Sequence, residues 1–326
     1  MTFYFARGKG IIFTFSEQFA HTAADRGTYG PAWMRIDLSR AESHNGSMYC
    51  DAHIHLVDLE EREHSFASTP LPFPWRAAVV THAHAEFTRS EALRRLLPPT
   101  IAGFGIHPQN PDMRNAAFLS SLCAARGISF IGEAGFDFFG DSAITTREPD
   151  AARIQTEAFL FQVRLAASAG LPLVVHARKA TDMLMGYGRE LAAVPAVIFH
   201  CWPGRLEEAR MFLKKGINAY FSFGTPILRD SRHAIESLRG IPCSRILSET
   251  DAPWQPPHGS PWSRREDIIA VVDKMAKVLE MSSSALLPVL EQNFVDAYLL
   301  HGMNRDSASC AGSETQEDSA HNAERV

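Results

Sequence analysis

The 326-residue sequence lacks most of the features that mark secreted, membrane-spanning or strongly basic proteins. Its five cysteines are odd in number, widely spaced and without a CxxC pair, which argues against a disulfide scaffold and a structural zinc module. No apolar run reaches the roughly 18 residues of a transmembrane helix, and no signal-peptide cleavage site is apparent. We therefore expect a cytoplasmic protein with no membrane association, and nothing in the sequence indicates an obligate protein partner.

An excess of positive charge is also lacking, since the formal net charge is −5. This value argues against a protein that holds nucleic acid by bulk charge. It leaves a nuclease open, because metal ions and a few local basic residues can carry the phosphate contacts. What is present is an ordinary globular composition, with 45% hydrophobic and 21% charged residues, in a chain long enough for one large domain.

The two ends of the chain differ from its middle. Residues 305–326 contain almost no large apolar side chains, which predicts a disordered tail, because such a segment cannot bury enough surface to offset the entropy of ordering. Residues 1–47 show no clear period and are predicted to form an extension of unknown role, or Met48 could be the true translation start. Residues 48–304 are predicted to form one folded domain.

The middle of the chain alternates between short apolar runs and longer amphipathic stretches. This alternation predicts parallel βαβ units, and eight of them close into an α/β fold of the (β/α)₈ TIM-barrel type. An open, doubly wound sheet is the alternative for the same pattern. The predicted strands are 49–55, 77–81, 101–106, 128–133, 173–176, 196–200, 219–222 and 245–250.

Side chains able to bind metal stand at the carboxyl ends of several predicted strands. In a barrel these ends meet at one mouth, which is where active sites are built, so the side chains should converge there. We therefore predict a metal-dependent hydrolase whose site contains six such residues: His53, His55, Glu133, His176, His200 and Asp251.

The first strand carries the sequence Asp-Ala-His-Ile-His at 51–55. Because side chains alternate along a strand, Asp51, His53 and His55 share one side, and two imidazoles two residues apart can chelate one cation. The HxH pattern alone is a weak signal, since core and surface histidines are commoner than ligands. Asp51 could orient a ligand histidine or pack at the barrel floor.

Carboxylates end the fourth and the last strand. Glu133 is flanked by glycines that allow a close approach, and it could bridge two cations or cap a helix. Glu249 and Asp251 share one side of the last strand, so one could bind metal or hold the nucleophilic water while the other accepts protons. No lysine stands on the fourth strand, which excludes an amidohydrolase with a carboxylated-lysine bridge.

Other polar residues follow the remaining strands. His107, in Gly-Ile-His-Pro, could donate a hydrogen bond to an anionic substrate or shape its loop. Arg178 and Lys179 could bind phosphate or be solvated surface residues. His82 and His84 form a second HxH pattern after the second strand, and we interpret them as loop residues.

The motifs together resemble those of the TatD family of metal-dependent deoxyribonucleases, in family order, across about residues 49–300. As a set they are much more specific than any one of them. The resemblance implies a (β/α)₈ barrel of the amidohydrolase-like group and a divalent-metal-dependent DNase. The segments that carry it are 51–55, 105–108, 132–137, 175–178, 199–204 and 249–253.

The resemblance also implies two divalent cations, for which the ligand types suit Mg, Mn, Zn, Co or Ni. Carried over by position, His53 and His55 would hold one cation with Glu133 and Asp251. Glu133 would bridge to the second cation, which the remaining two histidines, His176 and His200, would hold. The expected substrate is single-stranded DNA, degraded by an exonuclease.

Catalytic roles follow from the same resemblance. Asp251 would position the attacking water, and Glu249 would assist proton transfer. His107, with Arg178, would bind the substrate and stabilise the non-bridging oxygens of the phosphate.

The chain departs from the family pattern at the substrate rim. Phe138 and Phe139 stand where the family commonly has two tyrosines, and Trp202-Pro203-Gly204 replaces a common Phe-Ser-Gly. These changes bear on substrate preference more than on metal binding. Trp202, Trp254 or Phe138 could stack on a base or pack in the core or rim.

Two other functions remain open on the sequence alone. The same activated water could attack an ester or amide carbonyl, including that of a D-aminoacyl-tRNA. A scaffold that binds nucleic acid without cutting it is the non-enzymatic alternative, and the complete set of proposed ligands argues against it.

Overall fold

The computed structural model of the protein describes residues 28–29, 36–37, 48–97 and 99–301. The predictions for the extension (1–47) and the tail (305–326) therefore lie almost entirely outside the described residues. Within the extension, the structure describes two short strands, β1 (Thr28–Tyr29) and β2 (Ile36–Asp37), which pair antiparallel. In the described part of the chain, no helix is long and apolar enough to cross a membrane.

Eight further strands form one sheet in which sequence order and spatial order agree. Every neighbouring pair is parallel, with helices between the strands, so the prediction of a (β/α)₈ barrel is confirmed. The strands are β3 (Tyr49–Ile54), β4 (Trp75–Val79), β5 (Thr100–Phe104), β6 (Phe130–Asp137), β7 (Leu173–Arg178), β8 (Val197–Phe199), β9 (Ala219–Phe223) and β10 (Ile246–Ser248).

The barrel closes where β10 meets β3. A parallel bridge joins Ile54 to Ala252, and the backbone N–H groups of Asp251 and His55 donate to the carbonyls of His53 and Ala252, each over 2.9 Å. Deeper in the barrel, the Ser248 hydroxyl donates to a β3 carbonyl over 2.7 Å. The closing seam is therefore short, and it is built by residues of the predicted site.

The described residues contain ten α-helices, which accompany the strands. The helical stretch after β7 is interrupted at Tyr187, and the helix after β9 is preceded by a 3₁₀ turn at Thr225–Arg229. The helices are α1 (Leu56–Arg62), α2 (His84–Arg94), α3 (Ala116–Ala124), α4 (Pro149–Ala169), α5 (Thr181–Gly186), α6 (Gly188–Leu191), α7 (Leu206–Lys214), α8 (Arg232–Gly240), α9 (Asp267–Val278) and α10 (Ser283–Ala297).

Apolar side chains fill the barrel beneath its mouth. Val174 and Ile198 lie two residues before His176 and His200 on their strands, so each shares a face with the histidine above it. Buried aromatic residues at the carboxyl-terminal end of α10 and just after it join the same cluster. The interior is thus a packed core, and polar side chains are left to gather at the carboxyl ends of the strands.

Candidate active site at the barrel mouth

Glu133 lies at the centre of the site, 2% exposed, and its position depends on two glycines of β6. A Cβ atom on Gly132 would lie 2.7 Å from Val174 Cβ, and one on Gly135 would lie 2.0 Å from the His176 carbonyl oxygen. Both distances are far shorter than ordinary contacts, so only glycine lets β6 run this close to β7. This packing agrees with the prediction that the glycines beside Glu133 allow a close approach.

One oxygen of Glu133 faces the residues of the first and last strands. Glu133 Oε2 lies 3.4 Å from His53 Nε2 and 3.6 Å from His55 Nε2, and these two nitrogens are 3.3 Å apart. Asp251 Oδ1 lies 3.4 Å from His55 Nε2 and 3.8 Å from His53 Nε2. We call His53, His55 and Asp251 the Oε2 half of the site.

The other oxygen of Glu133 faces the fifth and sixth strands of the barrel. Glu133 Oε1 lies 2.8 Å from His200 Nε2 and 3.1 Å from His176 Nδ1, and these two nitrogens are 3.0 Å apart. We call His176 and His200 the Oε1 half. The structure therefore brings together all six residues that the sequence analysis selected as metal ligands.

Hydrogen bonds behind the ligands fix several of them. The Asp51 carboxylate accepts the His53 backbone N–H over 3.2 Å, and it accepts the backbone N–H and the hydroxyl of Thr250 over 2.9 and 2.6 Å. Asp51 therefore ties the ligand-bearing end of β3 to the segment that carries Asp251. This contact agrees with the predicted orienting role of Asp51, although it acts on the backbone of His53 rather than on its ring.

Asp137, at the end of β6, supports the Oε1 half and was not singled out by the sequence analysis. Its Oδ2 atom lies 3.0 Å from His176 Nε2 and accepts from Gln109 Nε2 over 2.7 Å. With its proton on Nε2, His176 presents the lone pair of Nδ1 to Glu133 and His200. The motif 132–137 contained Asp137, but only the course of β6 beyond Glu133 shows its contact with His176.

Two buried glutamines of α4 hold the loops of the mouth. Gln155 exchanges hydrogen bonds of 2.9 and 3.0 Å with the backbone of Asp137, and Gln162 exchanges bonds of 2.8 and 3.0 Å with the backbone of Ile106. Because Ile106 precedes His107, α4 positions both residues from outside the barrel.

Electrostatics at the mouth reflect a dense mixture of imidazoles and carboxylates. Burial opposes the charge on Glu133, but His53, His200 and His107 outweigh it and hold the Glu133 pKa well below its ordinary value. Burial likewise opposes the charge on His200, but Glu133 and Glu249 raise the His200 pKa well above its ordinary value. Without cations, protonated imidazoles therefore balance the carboxylates, and a bound cation would replace those protons.

The donor set fits divalent metal cations. Histidine nitrogens and carboxylate oxygens suit borderline cations. Within the described part of the chain, four such atoms are buried with no hydrogen-bond partner: His53 Nδ1, His55 Nδ1, His200 Nδ1 and Glu249 Oε1. Three triplets each place their ligand atoms within 4.8 Å of one another: His53, His55 and Glu133; His53, His200 and Glu249; and His107, Glu133 and His176.

The predicted catalytic and substrate-binding residues differ in their position and in their exposure to solvent. His107 lies at the mouth, where its Nδ1 accepts the Gln109 backbone N–H over 3.1 Å and its Nε2 lies 3.7 Å from Glu133 Oε1. Arg178 is 41% exposed, and its guanidinium lies over the Phe139 ring. Glu249 is fully buried, accepts a hydrogen bond from Ser222 and lies 3.7 Å from His200 Nδ1.

His82 lies in the loop between β4 and α2, as the sequence predicts, and its ring also lies within the cluster. Its Nε2 atom is 3.1 Å from Glu133 Oε2, and its ring centre is 4.9 Å from that of His107. The signal that could have identified it is its place after a barrel strand, which it shares with the other site histidines. His84, its neighbour in the same motif, is the first residue of α2. It is exposed, and its ring stacks on Phe118.

The three aromatic side chains considered for base stacking have different environments. Trp202 is 3% exposed and packs edge-on against Phe199 and Phe221, and Phe138 is also buried. Trp254 is 45% exposed, and its indole N–H donates to Asp58 over 3.1 Å. Trp254 is thus the one of the three whose ring is accessible from the solvent.

A cavity of about 760 Å³ opens above the Glu133 cluster. It contacts ligand candidates from both halves of the site, and Arg178, Trp202, Trp254 and His233 also line it. Its size is within the range of sites that bind small molecules or one end of a polymer.

Comparison with known proteins agrees with this geometry. Residues 50–299 match the model of the TatD related DNase family. The chain belongs to the TatD family. It is therefore a metal-dependent hydrolase that acts on ester bonds, and both the resemblance inferred from its motifs and the expectation of an enzyme are confirmed.

Individual relatives resemble the chain to different extents. An uncharacterized metal-dependent hydrolase, YabD of Bacillus subtilis (strain 168), is 30% identical over 259 residues, which cover 76% of this chain and 97% of that protein. The 3'-5' ssDNA/RNA exonuclease TatD of Cronobacter turicensis is 34% identical over 174 residues, which cover 50% of this chain and 62% of that protein.

Solved structures of TatD homologues share the fold. The chain aligns with YjjV of Escherichia coli K12 with a TM-score of 0.63 and 23% identity, over 76% of this chain and 96% of that one. A TatD family hydrolase from Entamoeba histolytica aligns with a TM-score of 0.61 and 16% identity, over 78% of this chain and 98% of that one.

Proposed function

We propose that the protein is a two-metal phosphodiester hydrolase that degrades single-stranded DNA from a chain end. The observation that carries the proposal is the arrangement around Glu133, whose two oxygens face two separate groups of ligand atoms. A carboxylate in this position can bridge two cations. A relative named as a 3'-5' ssDNA/RNA exonuclease supports the choice of substrate.

Each half of the site would hold one divalent cation. His53, His55 and Asp251 would bind the first and His176 and His200 the second, with Glu133 shared between them. The ligands suit Zn, Mn, Co or Ni, with Mg accommodated more readily in the Oε2 half, which contains the additional carboxylate. When bound, the two cations would lower the pKa of a water molecule and stabilise charge on the attacked phosphate.

The residues of the chain have distinct roles in this reaction. Asp251, which lines the cavity, would orient the attacking water and accept its proton as the oxygen forms its bond to phosphorus. His107 would donate from Nε2 to a non-bridging phosphate oxygen, because its Nδ1 already accepts the Gln109 backbone N–H. The bond from phosphorus to the departing sugar oxygen then breaks, and that oxygen takes up a proton from protonated Asp251 or from solvent water.

Glu249 would act through His200 rather than directly on substrate. It is fully buried, and its Oε1 atom lies 3.7 Å from His200 Nδ1, on the far side of that ring from Glu133. At this distance the Glu249 carboxylate acts on the imidazole mainly through its charge, which helps to raise the pKa of His200 and so increases its basicity. We therefore propose Glu249 as a positioning residue that assists proton transfer indirectly.

The rim favours a single strand over a duplex. The ligand cluster is almost fully buried at the bottom of the cavity, so a scissile phosphate must enter the barrel mouth. A flexible chain end can do so, with Arg178 near the backbone phosphates and the exposed Trp254 ring available to stack on a base.

The test is degradation of single-stranded DNA by metal-stripped protein after Mg²⁺, Mn²⁺ or Zn²⁺ is restored. We expect cleavage only with metal, and its loss in the Glu133→Gln variant, which keeps the shape of the side chain but removes the bridging charge. Glu236→Gln, on the exposed face of α8, is the matched control and should leave cleavage unchanged.

Two outcomes would contradict the proposal in different ways. If the Glu133→Gln variant still cleaves DNA, the Glu133 carboxylate is not required for the reaction. The protein could instead bind metal stoichiometrically, cleave no DNA with any of these metals and hydrolyse D-aminoacyl-tRNA. That result would show that the site acts on carboxylic esters and not on DNA.

A further inference from the structure

We infer that His82 is an additional metal ligand of the Oε2 half, so that three imidazoles, not two, serve the cation placed there. The inference rests on the metal site of the proposed function and extends it. Its starting point is a single oxygen, Glu133 Oε2, and the nitrogen atoms that surround it.

Three Nε2 atoms surround Glu133 Oε2 at similar distances. They are 3.1 Å away for His82, 3.4 Å for His53 and 3.6 Å for His55. Ligand atoms that each lie about 2.0–2.2 Å from one cation are separated from one another by about 3–3.6 Å in tetrahedral or octahedral geometry. His82 Nε2 therefore lies at a ligand–ligand distance from Glu133 Oε2, as the Nε2 atoms of the two HxH histidines do.

The ring of His82 has no other polar role. Both of its ring nitrogens are buried, and neither has a hydrogen-bond partner among the described residues. A buried ring nitrogen without a partner is destabilising, because it has lost its hydrogen bonds to water and gained none in the protein. A cation on Nε2 would satisfy the atom that points at Glu133.

Hydrogen bonds from two neighbouring segments fix the backbone around His82. The Glu86 carboxylate accepts the backbone N–H groups of His82 and Ala83 over 2.6 and 3.1 Å, and Asn115 donates to the His82 carbonyl over 3.2 Å. Contacts from α2 and from the start of α3 thus hold the loop from both sides. A ligand whose backbone is already fixed loses less entropy on binding metal than a ligand on a mobile loop would lose.

His82 also differs from the other ligands in its exposure. Its side chain is 23% exposed, whereas those of His53 and His55 are 0% and 8% exposed. It therefore lies on the solvent side of the Oε2 half, next to His107. A ligand at this edge adds nitrogen to the coordination of one cation and shifts its preference from Mg²⁺ towards Zn²⁺ and Co²⁺.

The experiment measures metal binding directly in the full chain, independently of catalysis. Metal-stripped wild type and His82→Ala are titrated with Zn²⁺ against a chromophoric chelator, and the visible spectrum of the Co²⁺-loaded protein is recorded. We expect His82→Ala to weaken one of two binding steps by about tenfold or more and to change the Co²⁺ spectrum. Mg²⁺ binding should be affected much less.

Three further variants make the result decisive. His84→Ala, which removes the exposed histidine of the same motif, should bind Zn²⁺ like wild type, and His82→Gln should behave like His82→Ala. If His53→Ala loses a cation while both His82 variants keep wild-type affinity and spectrum, His82 is not a ligand and the two-metal site stands. If His53→Ala also binds like wild type, the metal site itself is wrong.

Discussion

The two halves of the site share Glu133 but are supported in different ways. In the Oε1 half, His176 is held by Asp137 at 3.0 Å, and Asp137 is itself held by Gln109. In the Oε2 half, Asp58 lies 3.9 Å from His55 Nδ1, and among the residues that the structure describes His53 Nδ1 has no hydrogen-bond partner. One half orients an imidazole ring, whereas the other fixes the backbone through Asp51.

Because of this difference, the two halves should bind their cations with different affinities. A ligand ring already held in its binding orientation and tautomer pays little to coordinate metal. A ring fixed only through its backbone keeps more freedom. We therefore expect the Oε1 half to bind its cation more tightly, and the Oε2 half, which also has the more exposed His82, to exchange its cation more readily.

The largest effects should come from removing one ligand of each half. We expect His53→Ala and His176→Ala each to reduce bound metal from two cations to one per chain, measured by elemental analysis after gel filtration. DNA cleavage should fall on the order of 10²–10³-fold, the scale for losing a group that stabilises transition-state charge. Retention of both cations by either variant would contradict its assignment to that half.

Smaller effects on metal binding should distinguish the carboxylate that holds a ligand ring in the Oε1 half from the carboxylate near His55 in the Oε2 half. Asp137→Asn should weaken one metal-binding step by about 10–100-fold, because His176 loses the carboxylate that fixes its tautomer. Excess metal should then restore much of the activity. Asp58→Asn is the matched change in the Oε2 half and should have little effect, since Asp58 lies beyond hydrogen-bond distance of His55. Equal losses in the two variants would remove the proposed asymmetry.

The pH dependence of stability should distinguish the metal-free protein from the metal-bound one. Burial opposes protonation of His55, but Asp251 and Glu133 raise its pKa to about 9, and His200 is raised as well. A folded-state pKa above the unfolded value of about 6.5 stabilises the fold below that value, and the stabilisation is lost as the pH rises through the folded-state pKa.

Metal-stripped protein should therefore lose melting temperature between about pH 6.5 and 9, by roughly 2–4 °C for each kcal/mol lost. Metal-loaded protein should show a flatter profile, because cations replace the protons. Thermal denaturation followed by circular dichroism at several pH values measures both. A flat profile for the stripped protein would show that protonated imidazoles do not balance the carboxylates.

The smallest effect concerns the substrate rim, outside both halves. Arg178→Ala should weaken binding of single-stranded DNA by a few-fold and lower the slope of log K against log salt by about 0.7, the value for one phosphate contact. Cleavage at saturating DNA should change little. Arg153→Ala, on the exposed face of α4, is the control. An unchanged salt slope in Arg178→Ala would exclude it from phosphate binding.

The barrel and the six central residues were predictable because both depend on strand order and strand ends. Apolar runs marked the strands, and in a closed barrel the carboxyl ends of the strands meet wherever the sequence places them. The structure shows that His53, Glu133 and His200 do converge, although they are far apart in sequence.

Other features depend on geometry that no local pattern records. The seven-residue α1 cannot be predicted from the sequence pattern, since it follows His55 directly and is too short for a clear period. The contact of Asp137 depends on how far β6 continues past Glu133, and that of His82 on the direction of a ring in a loop. Such contacts between loops and strands arise only after the barrel has formed.

The seam between β10 and β3 has a consequence for synthesis of the chain. A nascent chain that has left the ribosome only as far as β9 contains five of the six central residues but lacks Asp251, and the strand that would close its barrel is missing. The cell therefore makes most of the polypeptide before the proposed phosphodiesterase can act, and a chain terminated early carries histidines without an assembled catalytic centre.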